Sequence, residues 1–219
     1  MKILLISSSP HKEKSRTFAL AQEVLKGAVG EGAREEIIHL ADCHIEFCQH
    51  CEDCHREILH CTISDSIAAV LDAMLSADGI ILASPNYINQ VTASLKALFD
   101  RSAHFIHCKR LLGKYIAGVV SSGSGQDAGV TDYLTYYAHT CGAQYSGSVS
   151  SSAYSIQQKF SQAQQLGKAL AFDIKENKID PDQAAIIEAG RQHFKRVIEL
   201  RKDDWQQEYK YWQAKGWLQ

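Results

Sequence analysis

The stretch Gly79-Ile80-Ile81-Leu82-Ala83-Ser84-Pro85-Asn86-Tyr87-Ile88-Asn89-Gln90 decides how the chain folds. Its first five residues form an unbroken apolar run, the pattern of a strand buried on both faces of a parallel sheet. Ser84-Pro85-Asn86 then ends the run with turn chemistry. A strand covered on both faces needs helices above and below, and helical spacing flanks this one. Ile67, Val70, Leu71 and Met74 recur at three- and four-residue steps before it, ending ahead of Asp78, and Val91, Leu95, Leu98, Phe99 and Ile106 predict one helix after it. Further out, Lys2-Ile3-Leu4-Leu5-Ile6 reads as a first strand. It is followed by a helix carrying Phe18, Ala21, Val24, Leu25, Ala28 and Val29, which Ser15 or Thr17 can cap. Glu36 to Leu40 is a short second strand, Tyr115 to Val120 a buried fourth and Ala143 to Val149 a weaker fifth. Gln126 to His139 reads as a helix despite Gly129, Phe160, Ala163, Leu166 and Leu170 mark a long helix from Ile156, and Pro181 opens a helical tail. Strands alternating with helices imply right-handed βαβ units, and hence an α/β doubly wound five-stranded parallel sheet with helices on both faces and a C-terminal helical extension. Such sheets bind ligands beyond the carboxyl ends of their strands where strand order reverses, so the loops after strands one, three and four are the candidate site.

Composition narrows the functional classes. A chain of 219 residues is one domain with an elaboration. Apolar residues at 45% and charged residues at 22% are ordinary for a folded globular chain. Three prolines and no Pro/Ser/Gly-rich tract leave no linker. A formal net charge of −2 lacks the basic footprint that nucleic acid or an anionic membrane would select, so neither is expected as a partner. The apolar start is too short for a signal-peptide core, and no run approaches the length of a membrane span, which points to the cytoplasm.

The first loop, Ser7 to Thr17, brings hydroxyls and backbone N–H groups to a helix N-terminus, a setting for a phosphate monoester. It contains neither G-x-G-x-x-G nor G-x-x-x-x-G-K-[ST], so a mononucleotide phosphate fits better than a dinucleotide or a P-loop ligand. A Ser-rich turn with an ordinary cap is the plainer alternative. In the second loop an aromatic and two amides, Tyr87, Asn86 and Asn89, can flank a planar ring and bond its polar edge. The third, Ser121-Ser122-Gly123-Ser124-Gly125, permits close backbone approach. Ser124 is not a nucleophile elbow, because G-x-S-x-G requires Gly where Ser122 stands. No catalytic side chain is expected.

These blocks resemble a known family. Ser8-Ser9-Pro10-His11 with Ser15-Arg16-Thr17 follows the Gly-Ser-Pro-Arg…Ser-x-Thr pattern of the NADPH-dependent FMN reductase branch of the flavodoxin-like superfamily, departing from it at the Gly and the Arg. Ser84, Pro85, Tyr87, Leu95, Lys96, Asp100 and Arg101 match its Ser-Pro-x-Tyr…Leu-Lys-x-x-x-Asp-Arg block. The resemblance covers about residues 1 to 175. It implies strand order 2-1-3-4-5, a flavodoxin-like FMN-binding domain over 1–178 that includes the Cys-rich loop 43–61, and a helical extension over 179–219. It also implies that Ser8, Ser9, His11, Ser15, Arg16 and Thr17 hold the FMN phosphate. Pro85, Asn86, Tyr87, Ile88 and Asn89, with Ser122, Gly123, Ser124 and Gly125, would border the isoalloxazine, and NAD(P)H would be the reductant.

Seven cysteines are an odd count, and Cys43, Cys48, Cys51, Cys54 and Cys61 crowd one stretch, unlike a disulfide framework. Cys48, Cys51, Cys54 and Cys61 read C-x2-C-x2-C-x6-C, and three thiolates at three-residue steps plus a fourth nearby can wrap the corners of a [4Fe-4S] cluster. The spacing resembles the compact motif of the iron–sulfur flavoproteins within the same family. An empty remnant loop, or zinc drawing on His44, His50, His55 and His60, are the alternatives. Cys108 and Cys141 read as buried apolar residues, and His104 and His107 as structural ones. Trp205, Tyr209 and Trp212 share a helix face that packs on the chain's own domain or docks on another subunit. The expected partners are a redox protein or a small-molecule electron acceptor, within a homodimer or homotetramer whose cysteine loop meets a neighbour's flavin.

Overall fold

A computed structural model describes all 219 residues. Five strands, β1 (Lys2–Ser7), β2 (Arg34–His39), β3 (Gly79–Pro85), β4 (Tyr115–Ser122) and β5 (Gln144–Ser152), form one parallel sheet in the order β2-β1-β3-β4-β5. The helices are α1 (Arg16–Gly30), α2 (Asp53–Arg56), α3 (Ile67–Ser76), α4 (Ala93–Asp100), α5 (Ala103–His107), α6 (Ala128–Cys141), α7 (Phe160–Lys175), α8 (Pro181–Leu200) and α9 (Gln206–Ala214). Alternation along the buried strands builds a core on each face. Leu4, Ile6, Ile80 and Leu82 meet α3, α4 and α6, whereas Ile3, Leu5, Ile81 and Ala83 meet α1 and α7. Helices α1 and α7 cross with almost no separation. A Cβ on Gly27 would lie 2.1 Å from the Gln164 carbonyl oxygen, and one on Gly167 would lie 1.8 Å from that of Val24.

The strand ends extend the expected bounds by a few residues, because hydrogen bonding continues past the apolar run into Ser121-Ser122 and Ser150-Ser151-Ser152. The single helix expected after β3 is two. The helical path is broken at Ser102, whose hydroxyl donates back to the Phe99 carbonyl, beside the Arg101 side chain paired with Asp65. The tail likewise breaks at Arg201 to Trp205, so Trp205 precedes α9 instead of sitting within it. Trp205 and Trp212 pack with Cys108 and Ile198 in a small separate core, which joins the extension to the chain's own α5 end. No helix is long and apolar enough to cross a membrane.

Candidate functional site

The carboxyl ends of β1, β3 and β4 are stitched together by main-chain bonds. The Ser8 amide donates to the Ala83 carbonyl (2.9 Å), that of Asn86 to Ser121 (2.8 Å) and that of Ala153 to Ser122 (2.7 Å). Between them lies an open cleft of about 320 Å3 at the point where strand order reverses. One wall comes from the first loop. Ser15 Oγ caps α1 by accepting from the Phe18 amide (3.3 Å), and Thr17 Oγ1 lies 2.6 Å from Ser121 Oγ. The amides of Arg16 and Thr17 belong to the four N–H groups that a helix start leaves without intrahelical acceptors, at the positive end of its dipole. Ser9, His11 and Lys14 complete that side. Arg16 donates through Nη1 to the Ala153 carbonyl (2.9 Å) and lies 5.4 Å from the Tyr154 ring centroid. Pro85, Asn86 and Tyr87 form the opposite wall, with Ser122 and Gly123 between. Asn86 donates through Nδ2 to the Gln126 carbonyl (2.6 Å), while its Oδ1 is buried with no partner.

Five of the expected residues do not line the cleft. The Ser8 hydroxyl is buried and donates to the Ala83 carbonyl (3.1 Å), so it fastens β1 to β3. Ile88 is 98% exposed at a loop tip. Asn89 Nδ2 donates to Gln126 Oε1 (3.1 Å), holding the two loops to each other, and Ser124 Oγ accepts from the Gln126 amide (3.3 Å) within its own loop. Gly125, at φ +74°, supplies the left-handed turn that closes the Ser122 to Gly125 loop. Ser121 of the third loop does line the cleft, as do Lys14 and Ala153, which the sequence reading did not place there. Lys14 was legible as a cation before a helix start, whereas nothing in the weakly patterned β5 region marked Ala153.

The second site is the cysteine loop. Cys48, Cys51, Cys54 and Cys61 line one cavity of about 90 Å3 together with His50, His55 and Arg101. His50 and Glu52 both take left-handed backbone, at φ 54° and 63°, between the first three thiols. That conformation is uncommon outside glycine and asparagine, and it bends the three-residue repeat around the cavity. The His50 amide donates to Cys48 Sγ (3.4 Å), and Cys51 Sγ lies 3.6 Å from Thr62 Oγ1. Arg101, almost fully buried, donates through Nη2 to Cys61 Sγ (3.1 Å) and through Nη1 to the Glu46 carbonyl (2.8 Å) and Asp65 Oδ2 (2.8 Å). Burial opposes the Asp65 carboxylate, but bonds from Arg101 and from the Ile67 and Glu46 amides outweigh it and hold its pKa below the ordinary range. Burial, then the nearby Glu208 carboxylate and the other three cysteines, push the Cys54 thiol up to about 12. All seven cysteines are free thiols. Four convergent sulfurs beside a buried guanidinium are a donor set suited to a cluster carrying net negative charge.

The extension closes the back of this loop. The Glu208 carboxylate, fully buried on α9, accepts from His55 Nδ1 (2.7 Å) and His107 Nδ1 (3.0 Å). Burial works against that carboxylate, yet the two imidazoles keep its pKa below normal. The His55 and His107 rings stack at 4.6 Å, with Trp205 4.5 Å and 4.9 Å from them. Trp205 Nε1 donates to Glu52 Oε2 (3.2 Å), which also receives Arg201, and the Ile58 amide donates to Gln207 Oε1 (2.9 Å). His55, offered above as a zinc ligand, thus spends Nδ1 on Glu208, and His44 Nε2 pairs with Glu46 (2.9 Å). His104 is buried with neither ring nitrogen partnered, and burial lowers its pKa to about 4.

A doubly wound sheet of order 2-1-3-4-5 with a cleft at its strand reversal defines a flavodoxin-like α/β protein. Residues 1–157 match the family profile of NADPH-dependent FMN reductases, and the chain belongs to that family. An iron-sulfur flavoprotein of Methanocaldococcus jannaschii is 39% identical over 129 residues, 59% of this chain and 65% of that relative. One from Archaeoglobus fulgidus is 36% identical over 124 residues, 56% of this chain and 60% of the relative, so each match spans less than two thirds of the relative's own length. Among solved structures, a flavone reductase superposes with a TM-score of 0.66 at 22% identity, covering 80% of this chain and 64% of that one.

Proposed function

We propose that this protein is an FMN-dependent oxidoreductase that couples a flavin in the strand-end cleft to a [4Fe-4S] cluster on Cys48, Cys51, Cys54 and Cys61, reduced by NAD(P)H or by a redox partner. The observation that carries the reading is that the four thiols of one C-x2-C-x2-C-x6-C run line a single small cavity. The names of the archaeal relatives agree with it. A bound flavin accepts electrons in pairs and gives them up singly, and the cluster carries one at a time. The chain's own groups need only bind and orient. The α1 start with Ser9, Ser15 and Thr17 suits the FMN phosphate, Asn86 and Tyr87 would border the ring, and Arg101 stabilises charge beside Cys61. Residues 1–178 would carry both centres, and 179–219 would fasten the cysteine loop. A small-molecule or protein acceptor and a homodimer or homotetramer complete the reading.

Protein purified without oxygen tests it. About four irons and four acid-labile sulfides per chain alongside one flavin are expected. Flavin without iron in that preparation would leave a simple flavin reductase and overturn the cluster assignment.

A further inference from the structure

A cavity of about 470 Å3, larger than either site above, opens between the ends of α5 and α6 and the flank of α8. It lies on the amino-end side of β4 and β5, so it is separate from the cleft, and α8 lies outside the stretch matched by the family profile. Its cationic centre is Lys109, whose residue is 1% exposed. The ammonium makes one hydrogen bond, from Nζ to the Thr140 carbonyl (2.8 Å), and sits 5.5 Å from the Phe194 ring centroid. It has no ion-pair partner. The nearby Glu188 carboxylate is taken by Arg191, whose Nε lies 2.7 Å away. Two of the three ammonium protons are therefore unassigned in a buried setting, where an unpaired charge is costly. Helix α8 passes this group with glycine, and a Cβ on Gly190 would stand 2.9 Å from Nζ.

The rest of the lining brings no opposing charge. His107, His139 and His193 face the cavity, and no aspartate or glutamate does. Ile186, Phe194 and Tyr136 give it apolar and aromatic walls. One buried ammonium, imidazoles and apolar walls select a small anion with a flat apolar body, and the volume is in the range of ordinary ligand sites. We infer that this cavity is a binding site for an aromatic carboxylate, held by an ion pair to Lys109 and stacked against Phe194. Burial lowers the Lys109 pKa to about 8, which leaves the group mostly cationic at neutral pH. His107 of this lining also donates to Glu208, which binds His55 beside Cys54.

Salicylate, with salicyl alcohol as its uncharged counterpart, is the probe, titrated calorimetrically into the holoprotein with excess FMN present to block the cleft. One-to-one binding of salicylate is expected, with the alcohol weaker by about tenfold or more, the equivalent of one charge-assisted bond. Lys109→Met should cost salicylate a similar factor and leave the alcohol unchanged. Ile186→Trp, on a half-exposed wall where a larger ring fills the cavity without disturbing the core, should abolish both. Equal binding of acid and alcohol, salicylate binding lost on FMN saturation, or affinity unchanged in both variants would each overturn the assignment.

Discussion

Lys109 shows what a single buried charge does to the energetics. Burial moves its pKa from 10.5 to about 8. Between those values the unfolded chain holds a proton that the folded chain has released, so stability rises with pH across that window. The full penalty applies below pH 8 and is gone above 10.5. At neutral pH it amounts to about 3 kcal/mol. Lys109→Met removes it and forfeits the bond to the Thr140 carbonyl, worth about 1 kcal/mol. The variant should therefore be more stable by about 2 kcal/mol at pH 7, and the advantage should shrink as urea midpoints are followed from pH 7 to 10. A constant advantage would mean that the lysine is not strained by burial. A side chain kept at such a cost is what a ligand site looks like in a stability measurement. Neither Lys109 nor Glu208 could be found in the sequence, because a charged residue reads as exposed, and only tertiary packing buries these two. Arg101 was half legible. The Leu-Lys-x-x-x-Asp-Arg block marked the position, but a guanidinium donating to Cys61 across 40 residues of chain has no local signature.

At the scale of elements, legibility followed the origin of each element's stability. Strands β1, β3 and β4 draw theirs from continuous apolar runs, so their existence and the site at their carboxyl ends could be read directly. The breaks at Arg101–Ser102 and at Arg201–Trp205 arise from side chains that bond distant partners, and periodicity carries no record of those. The α1–α7 crossing is a sharper case. By helix propensity, Gly167→Ala in mid-helix gains about 1 kcal/mol. In the fold the new methyl would meet the Val24 carbonyl oxygen at 1.8 Å and the Ala28 amide nitrogen at 2.9 Å, backbone atoms with no rotamer to yield. Overpacking of that kind costs about 3 kcal/mol. Gly167→Ala should thus destabilise the protein by about 2 kcal/mol in equilibrium urea unfolding, opposite in sign to the propensity expectation. Because α1 carries Ser15 and Thr17 at its start, flavin retention on dilution should weaken with it.

Across the whole molecule, the two candidate centres rest on different structural supports, and that separation can be measured. The cleft is assembled from the ends of β1, β3 and β4, whose main-chain bonds belong to the sheet. The cysteine cavity is a bowl pinned from one side by Arg101 and from the other by Glu208, Trp205 and Arg201 of the extension. Nothing in the sheet depends on the thiols, and nothing in the bowl depends on the hydroxyls of the first loop. Cys51→Ser should therefore abolish iron binding while flavin stays near one per chain. Thr17→Ala, which removes a hydroxyl 2.6 Å from Ser121 at the helix start, should weaken flavin binding by about tenfold and spare the iron. Flavin fluorescence on release, and iron with sulfide on the same samples, read both occupancies. If Cys51→Ser kept full iron, the four-cysteine ligand set would be wrong. If either substitution emptied both centres, the supports would be one cooperative unit.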